Sequence, residues 1–120
     1  MKVLIIDDSS MVRDEVRVAL AGEGHDVVEA RDGVEGLEEI ERCPDLGIVI
    51  LDVNMPRMNG IEVLHRLSSS DSDLPVLMLT TEGQPNLIRQ ARAAGARAWM
   101  VKPFQPDLLL KAVAKLGRHR

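Results

Sequence analysis

Leu46-Gly47-Ile48-Val49-Ile50-Leu51-Asp52-Val53-Asn54-Met55-Pro56 is the stretch that decides how this chain is read. Its first six residues carry no polar side chain, and the run then stops at an acid. A strand with one wet face alternates apolar and polar residues, whereas one buried on both faces does not, as in parallel sheets. The same form recurs along the chain. Val3–Ile6 runs into Asp7-Asp8, Val76–Leu79 into Thr80, and Ala98–Val101 into Lys102. A fifth run, Val27-Val28 within Asp26–Ala30, is short and mixed, which suits an edge strand.

Between these runs the spacing is helical. Ser9 or Ser10 can cap a first helix that turns Val12, Val16, Ala19 and Leu20 inward, with Gly22 or Gly24 to end it. Asp32 can cap a second, burying Val34, Leu37 and Ile40. A third begins near Gly60 with Ile61, Leu64 and Leu67 on one face. Pro85 starts a fourth that holds Ile88, Ala91 and Ala94 before Gly95, and Pro106 opens a fifth striped by Leu109, Leu110, Val113 and Leu116. Ser68–Asp73 reads as a polar loop. Five strand–helix units in 120 residues predict one domain over residues 1–120. The predicted fold is α/β in three layers, a doubly wound five-stranded parallel sheet with right-handed crossovers.

Composition narrows the function classes. A net charge of −4 argues against non-specific binding to nucleic acid or anionic membrane. Trp99 and Phe104 are the only aromatic residues, too few for base-stacking platforms. Cys43 is the lone cysteine, so no internal disulfide forms, and it reads as a plain thiol in a reducing compartment. The apolar residues after Met1-Lys2 are too few for a signal-peptide core, and no stretch approaches membrane-spanning length. A cytoplasmic location is expected. Glu35, Glu38, Glu39 and Glu41 read as a solvated face, and Lys111, Lys115 and Arg118 suit a helix C-terminus.

The chemistry sits where the apolar runs end. Four strands deliver two acids, one acid, a hydroxyl and an ammonium to the same carboxyl edge, where open α/β sheets bind ligands. Like charges about 4 Å apart repel by roughly 4 kcal/mol at an intermediate dielectric. Either a carboxylate among Asp7, Asp8 and Asp52 holds a proton or a cation sits between them. All-oxygen ligands with room for water favour a hard ion, Mg²⁺ before Ca²⁺. The spaced acids of an EF-hand loop are missing, and one cysteine with scattered His25, His65 and His119 makes no zinc site. Lys102 supplies the fixed positive charge that a transferred phosphoryl group needs. Taken singly, each residue has a plain reading: a helix cap, a solvated turn, a surface lysine. Their conjunction at four strand ends is what points to a metal-assisted phosphate site.

Over essentially its whole length the chain resembles the receiver domains of bacterial response regulators, especially the CheY-like chemotaxis type. The marks are Asp7-Asp8, Leu51-Asp52-Val53-Asn54-Met55-Pro56 with Gly60, Thr80-Thr81, and Val101-Lys102-Pro103-Phe104. The resemblance implies a flavodoxin-like strand order 2-1-3-4-5. It implies that Asp52 accepts the phosphoryl group of a histidine kinase's phosphohistidine. Asp8, Asp52 and the backbone carbonyl of Asn54 would hold Mg²⁺ directly, with Mn²⁺ or Ca²⁺ as substitutes and Asp7 acting through water. Lys102 would pair with phosphoryl oxygens, Thr80 would hydrogen-bond one of them, and the bond before Pro103 would be cis. Asn54 and Glu82 stand where the family tunes hydrolysis of the acyl phosphate. Trp99 stands where the family carries Tyr or Phe. It reads as a rotamer switch whose indole is partly in water at rest and turns inward with Thr80; a buried structural tryptophan is the plain reading.

The implied function is a two-component switch whose helix4–strand5–helix5 surface controls a partner, with no turnover on external substrates. The partners implied are a sensor histidine kinase or phosphotransfer protein and a downstream output protein, the flagellar motor among the candidates. Ala96-Arg97-Ala98 replaces the acidic residues of dimerising relatives, which predicts a monomer. Two rivals remain. An aspartyl phosphatase like the haloacid dehalogenases would place a second acid where Asn54 stands and would carry extra chain for a cap. A receiver-like scaffold that signals without phosphate would not need the complete acid, threonine and lysine set.

Overall fold

In the computed structural model, which describes residues 1–55, 58–69, 73–81 and 85–118, strands and helices alternate five times. They are β1 (Lys2–Ile6), α1 (Ser10–Ala21), β2 (Asp26–Ala30), α2 (Gly33–Arg42), β3 (Leu46–Asp52), α3 (Gly60–Ser69), β4 (Val76–Thr80), α4 (Pro85–Ala93), β5 (Ala98–Val101) and α5 (Pro106–Leu116). All neighbouring strands pair in parallel, in the order β2-β1-β3-β4-β5.

Period-two alternation along the strands divides the core into two layers of side chains. Leu4, Ile6, Val49, Leu51, Val76 and Met78 face one side, where Val63, Leu64 and Leu67 of α3 and Ala91 of α4 cover them. Val3, Ile5, Ile48, Ile50, Leu77 and Leu79 face the other, under Val16 and Leu20 of α1 and Leu109 and Val113 of α5. All seven residues of β3 are buried. Each of its Ile, Leu and Val side chains contributes about 1.5–3 kcal/mol by leaving water. The edge strands β2 and β5 are only half-buried.

The helix starts have local causes. Ser9 is the cap of α1, its Oγ accepting from the Val12 N–H at 3.3 Å. Asp32 caps α2 by accepting from the Glu35 N–H at 2.9 Å. At α3, Asn59 Oδ1 accepts from Glu62 N–H (3.0 Å) while Glu62 Oε1 accepts from Asn59 N–H (3.4 Å), a reciprocal capping pair. Gly95, with φ at +105°, turns the chain out of α4 in a conformation that side chains disfavour.

Two packing expectations are corrected. α2 meets β1 through Gly36 and α3 through Gly33, and Val34 is not part of that packing. A Cβ at Gly36 would collide with Ile6, and one at Gly33 would lie 2.8 Å from Val63. Leaving out both side chains lets the helix settle close to β1 at Gly36 and to α3 at Gly33, with Leu37 and Ile40 still packing. On α4, Leu87 rather than Ile88 packs against the core, beside Ala91 and Ala94.

Candidate functional site

The carboxyl ends of β1, β3, β4 and β5 gather Asp7, Asp8, Asp52, Thr80 and Lys102. Carboxylate oxygens of Asp7, Asp8 and Asp52 all lie within 4.8 Å of one another. Asp7 is 0% exposed and Asp52 4%, whereas Asp8 faces solvent. Lys102 Nζ donates to Asp7 Oδ2 at 2.7 Å and lies 3.3 Å from Asp52 Oδ1. Asp7 Oδ1 accepts from the Ser9 N–H at 2.9 Å. Both Asp7 oxygens are thus committed, whereas the Asp8 carboxylate bonds to no described residue and is free to meet a cation.

The backbone supports this edge closely. Gly60 N–H donates to Val53 O at 2.9 Å, and a Cβ at Gly60 would stand 2.5 Å from the Asp52 carbonyl oxygen. Only a glycine lets α3 start directly under the Asp52–Val53 peptide. On the other flank, Lys102 N–H donates to the Thr80 carbonyl at 2.6 Å, which ties the ends of β4 and β5 together. The Lys102–Pro103 peptide bond is cis.

Burial pushes the Asp52 carboxyl up to about 6, and the negative charge of Asp7 adds to it; Lys102 pulls the other way without prevailing. Burial by itself would lower the Lys102 ammonium, but its hydrogen bond to Asp7 and the charge of Asp52 outweigh that and raise it. Lys102 is therefore a fixed cation shared by two acids, and it sits closer to Asp7. One ammonium among three carboxylates leaves excess negative charge at a site that is open through Asp8. An oxygen-rich, partly open pocket of that kind fits a hard divalent ion such as Mg²⁺.

Thr80 is 2% exposed at the end of β4. On the adjacent β5, Trp99 pairs in register with Met78, two residues before Thr80. Its ring is half-buried against the core layer under α3 and α4. Its Nε1 is closed off from solvent, with no hydrogen-bond partner among the described residues. The residue as a whole keeps part of its surface in water while its one polar atom is enclosed. Asn54 is exposed just past Asp52. Glu82 and Pro56 lie outside the described residues.

One neighbour carried no signal in the linear sequence. Arg13, on the first turn of α1, donates from Nη1 to the Asp7 carbonyl oxygen at 2.6 Å and from Nε to Glu29 Oε1 at 3.2 Å. One partner follows the end of β1 and the other lies on β2, so no local spacing could have marked it.

Comparison with known proteins agrees with this geometry. The sequence pattern of the response regulator receiver domain matches residues 3–114. The chain is a receiver domain of the response-regulator family. It is 39% identical over 112 residues to a chemotaxis protein CheY homolog of Campylobacter jejuni, covering 91% of this chain and 86% of that protein. Its fold superposes on Vibrio cholerae CheY4 with a TM-score of 0.88 at 40% identity, covering 96% and 97% of the two chains. It also matches the Borrelia burgdorferi CheX–CheY–BeF3–Mg complex, with a TM-score of 0.90 at 30% identity and coverage of 96% and 87%. The receiver is thus CheY-like, from a family of signalling switches rather than classical enzymes, and its acidic pocket is compatible with Mg²⁺. Among the described residues, no helix is long and apolar enough to cross a membrane.

Proposed function

We propose that this receiver takes a phosphoryl group on Asp52 from a histidine kinase or phosphotransfer protein and reports that state to an output protein. The observation that carries the reading is Asp52 itself: buried, raised to about 6, and 3.3 Å from the Lys102 ammonium. At pH 7 the carboxylate form still prevails, so the nucleophile is available. A carboxylate oxygen of Asp52 attacks phosphorus, the P–N bond of the phosphohistidine breaks, and the imidazole leaves with that bonding pair. Lys102 then holds a phosphoryl oxygen by a charge-assisted hydrogen bond. Asp8, Asp52 and the Asn54 backbone carbonyl would hold Mg²⁺, which supplies positive charge to the equatorial oxygens as the phosphoryl group transfers. Asp7, already bonded to Lys102 and Ser9, acts through water and by fixing the lysine.

The readout runs through Thr80 and Trp99 to the surface of α4, β5 and α5. A hydroxyl drawn to the phosphoryl group from the end of β4 alters the space beside Trp99, and that is a charge event biasing a two-state element. Hydrolysis of the acyl phosphate resets the switch, with Asn54 and Glu82 tuning its rate. Residues 1–120 act as one receiver unit, monomeric, in the cytoplasm, without nucleic acid or membrane as partner. The Borrelia burgdorferi relative, solved with BeF3, Mg and CheX, supports both the metal and a protein partner. Incubation with acetyl phosphate and Mg²⁺ tests the reading. The protein gains one phosphoryl group and Asp52→Asn gains none; labelling of the variant at the parent's level overturns it.

A further inference from the structure

β2 stops at Ala30, whose carbonyl accepts the Asp7 N–H at 3.1 Å. The Asp7 carbonyl therefore stands beyond the end of that ladder, on a residue with no solvent exposure. A buried carbonyl oxygen needs a donor. It finds one in the Arg13 guanidinium, whose side chain is 13% exposed and whose other edge is held by Glu29. Arg17 also reaches Glu29, at 3.6 Å, but it pairs with Asp14 and Glu29 and not with Asp7.

We infer that Arg13 is a positioning residue for the cation site: with Glu29 it fixes the plane of the Asp7–Asp8 peptide and so aims the Asp8 carboxylate into the cluster. The inference rests on the reading of Asp8 as a metal-holding residue. The peptide between two ligand-bearing residues sets the direction of the second side chain, and the Asp8 carboxylate itself bonds to no described residue; the Ser9 N–H on Asp7 Oδ1 holds the far side of the same turn, and Arg13 holds its carbonyl. Arg13 is the right residue type for this. Its planar fork donates to a carbonyl and a carboxylate at once, which a lysine cannot reproduce.

Electrostatics and positioning predict opposite signs. Removing a cation beside a cation site strengthens Mg²⁺ binding, by Coulomb's law. Removing a residue that orients a ligand weakens it, typically by about 10–100-fold. Calorimetric titration with Mg²⁺ separates the two. Arg13→Met is expected to weaken Mg²⁺ about 10-fold or more, and Arg13→Lys to recover only part of that. Arg17→Met, which removes the same charge from the same helix, stays within about 2-fold of the parent or binds more tightly. The ¹⁵N shift of the Asp8 amide, which senses polarisation of the preceding carbonyl, moves in Arg13→Met and not in Arg17→Met. Unchanged or tighter binding in Arg13→Met overturns the inference, as does an unmoved Asp8 amide. Should Arg13→Met fail to fold, Glu29→Met removes the acceptor that holds the guanidinium, and Mg²⁺ affinity equal to the parent's then overturns it. A parent that binds no Mg²⁺ defeats the metal reading of the site, and with it this inference.

Discussion

Replacing Asp52 by asparagine removes a charge that the metal-free fold holds against its own interest, and the effect should depend on pH. In the unfolded chain Asp52 ionises near its ordinary 3.8; in the folded protein it does so at about 6. Below the lower value both states carry the proton and nothing is lost. Between the two, the unfolded chain releases its proton first, so stability falls as pH rises; above about 6 the whole penalty stands. Roughly two pK units correspond to about 3 kcal/mol. Asparagine is neutral at every pH and nearly the same size, and Lys102 keeps its 2.7 Å partner in Asp7. Asp52→Asn should therefore stabilise the metal-free protein by about 3 kcal/mol at pH 8 but by only about 1 kcal/mol at pH 4.5.

For a chain of this size, 1 kcal/mol moves the melting temperature by about 4 °C, so the gain at pH 8 should be roughly 10 °C. Calorimetry in EDTA at the two pH values is the assay. Mg²⁺ at 100 times its dissociation constant would return about 2.7 kcal/mol to the parent and, if Asp52 is one of its ligands as proposed, less to the variant. The difference between them should then nearly close. A gain of equal size at both pH values, or none at pH 8, would refute the argument that Asp52 carries the raised acidity.

Asp8→Ala should raise the metal-free melting temperature by relieving the same repulsion and should abolish stabilisation by Mg²⁺; an equal Mg²⁺-induced shift in variant and parent would count against Asp8 as a ligand. Trp99 is the only tryptophan in a chain without tyrosine, so its emission reports one site. Beryllofluoride with Mg²⁺ should change its emission maximum and its quenching by iodide, and Thr80→Ala should blunt that response. No change in the parent would identify Trp99 as a structural residue.

The fold was legible because its signal is redundant. Five apolar runs, each ending at a turn, define the strands; β3 is apolar on both faces because α1 and α5 cover one side and α2, α3 and α4 the other. The cluster was legible for the same reason: parallel strands all end at one edge, so the residue after each run lands beside its neighbours. What escaped notice involves residues without apolar side chains or with distant partners. Gly33 and Gly36 add nothing to hydrophobic periodicity, yet Gly36 sets how closely α2 approaches β1 and Gly33 how closely it approaches α3. Leu87 and Ile88 are both apolar and adjacent, and a helical stripe of small residues does not choose between them. Arg13 joins Asp7 to Glu29 across three elements. The enclosure of Trp99 Nε1 depends on how α3 and α4 close over the ring.

The placement of Lys102 accounts for how one pocket can be both unstable and responsive. Were the ammonium centred on Asp52, that carboxylate would be neutralised, and neither a proton nor a metal would find much charge to compensate. Instead it bonds Asp7 at 2.7 Å and stands 3.3 Å from Asp52, so burial prevails there and the carboxyl rises to about 6. The free energy withheld from the metal-free fold, about 3 kcal/mol, is recovered by whatever neutralises Asp52: a proton below about pH 6, the asparagine substitution or, on the proposed reading, a divalent ion shared with Asp8. A ligand shifts a two-state equilibrium only by its differential affinity for the two states. On the proposed reading that differential begins as the only partly compensated charge of one buried aspartate, and its stability cost in the empty site is the counterpart of its capacity to drive the switch when filled.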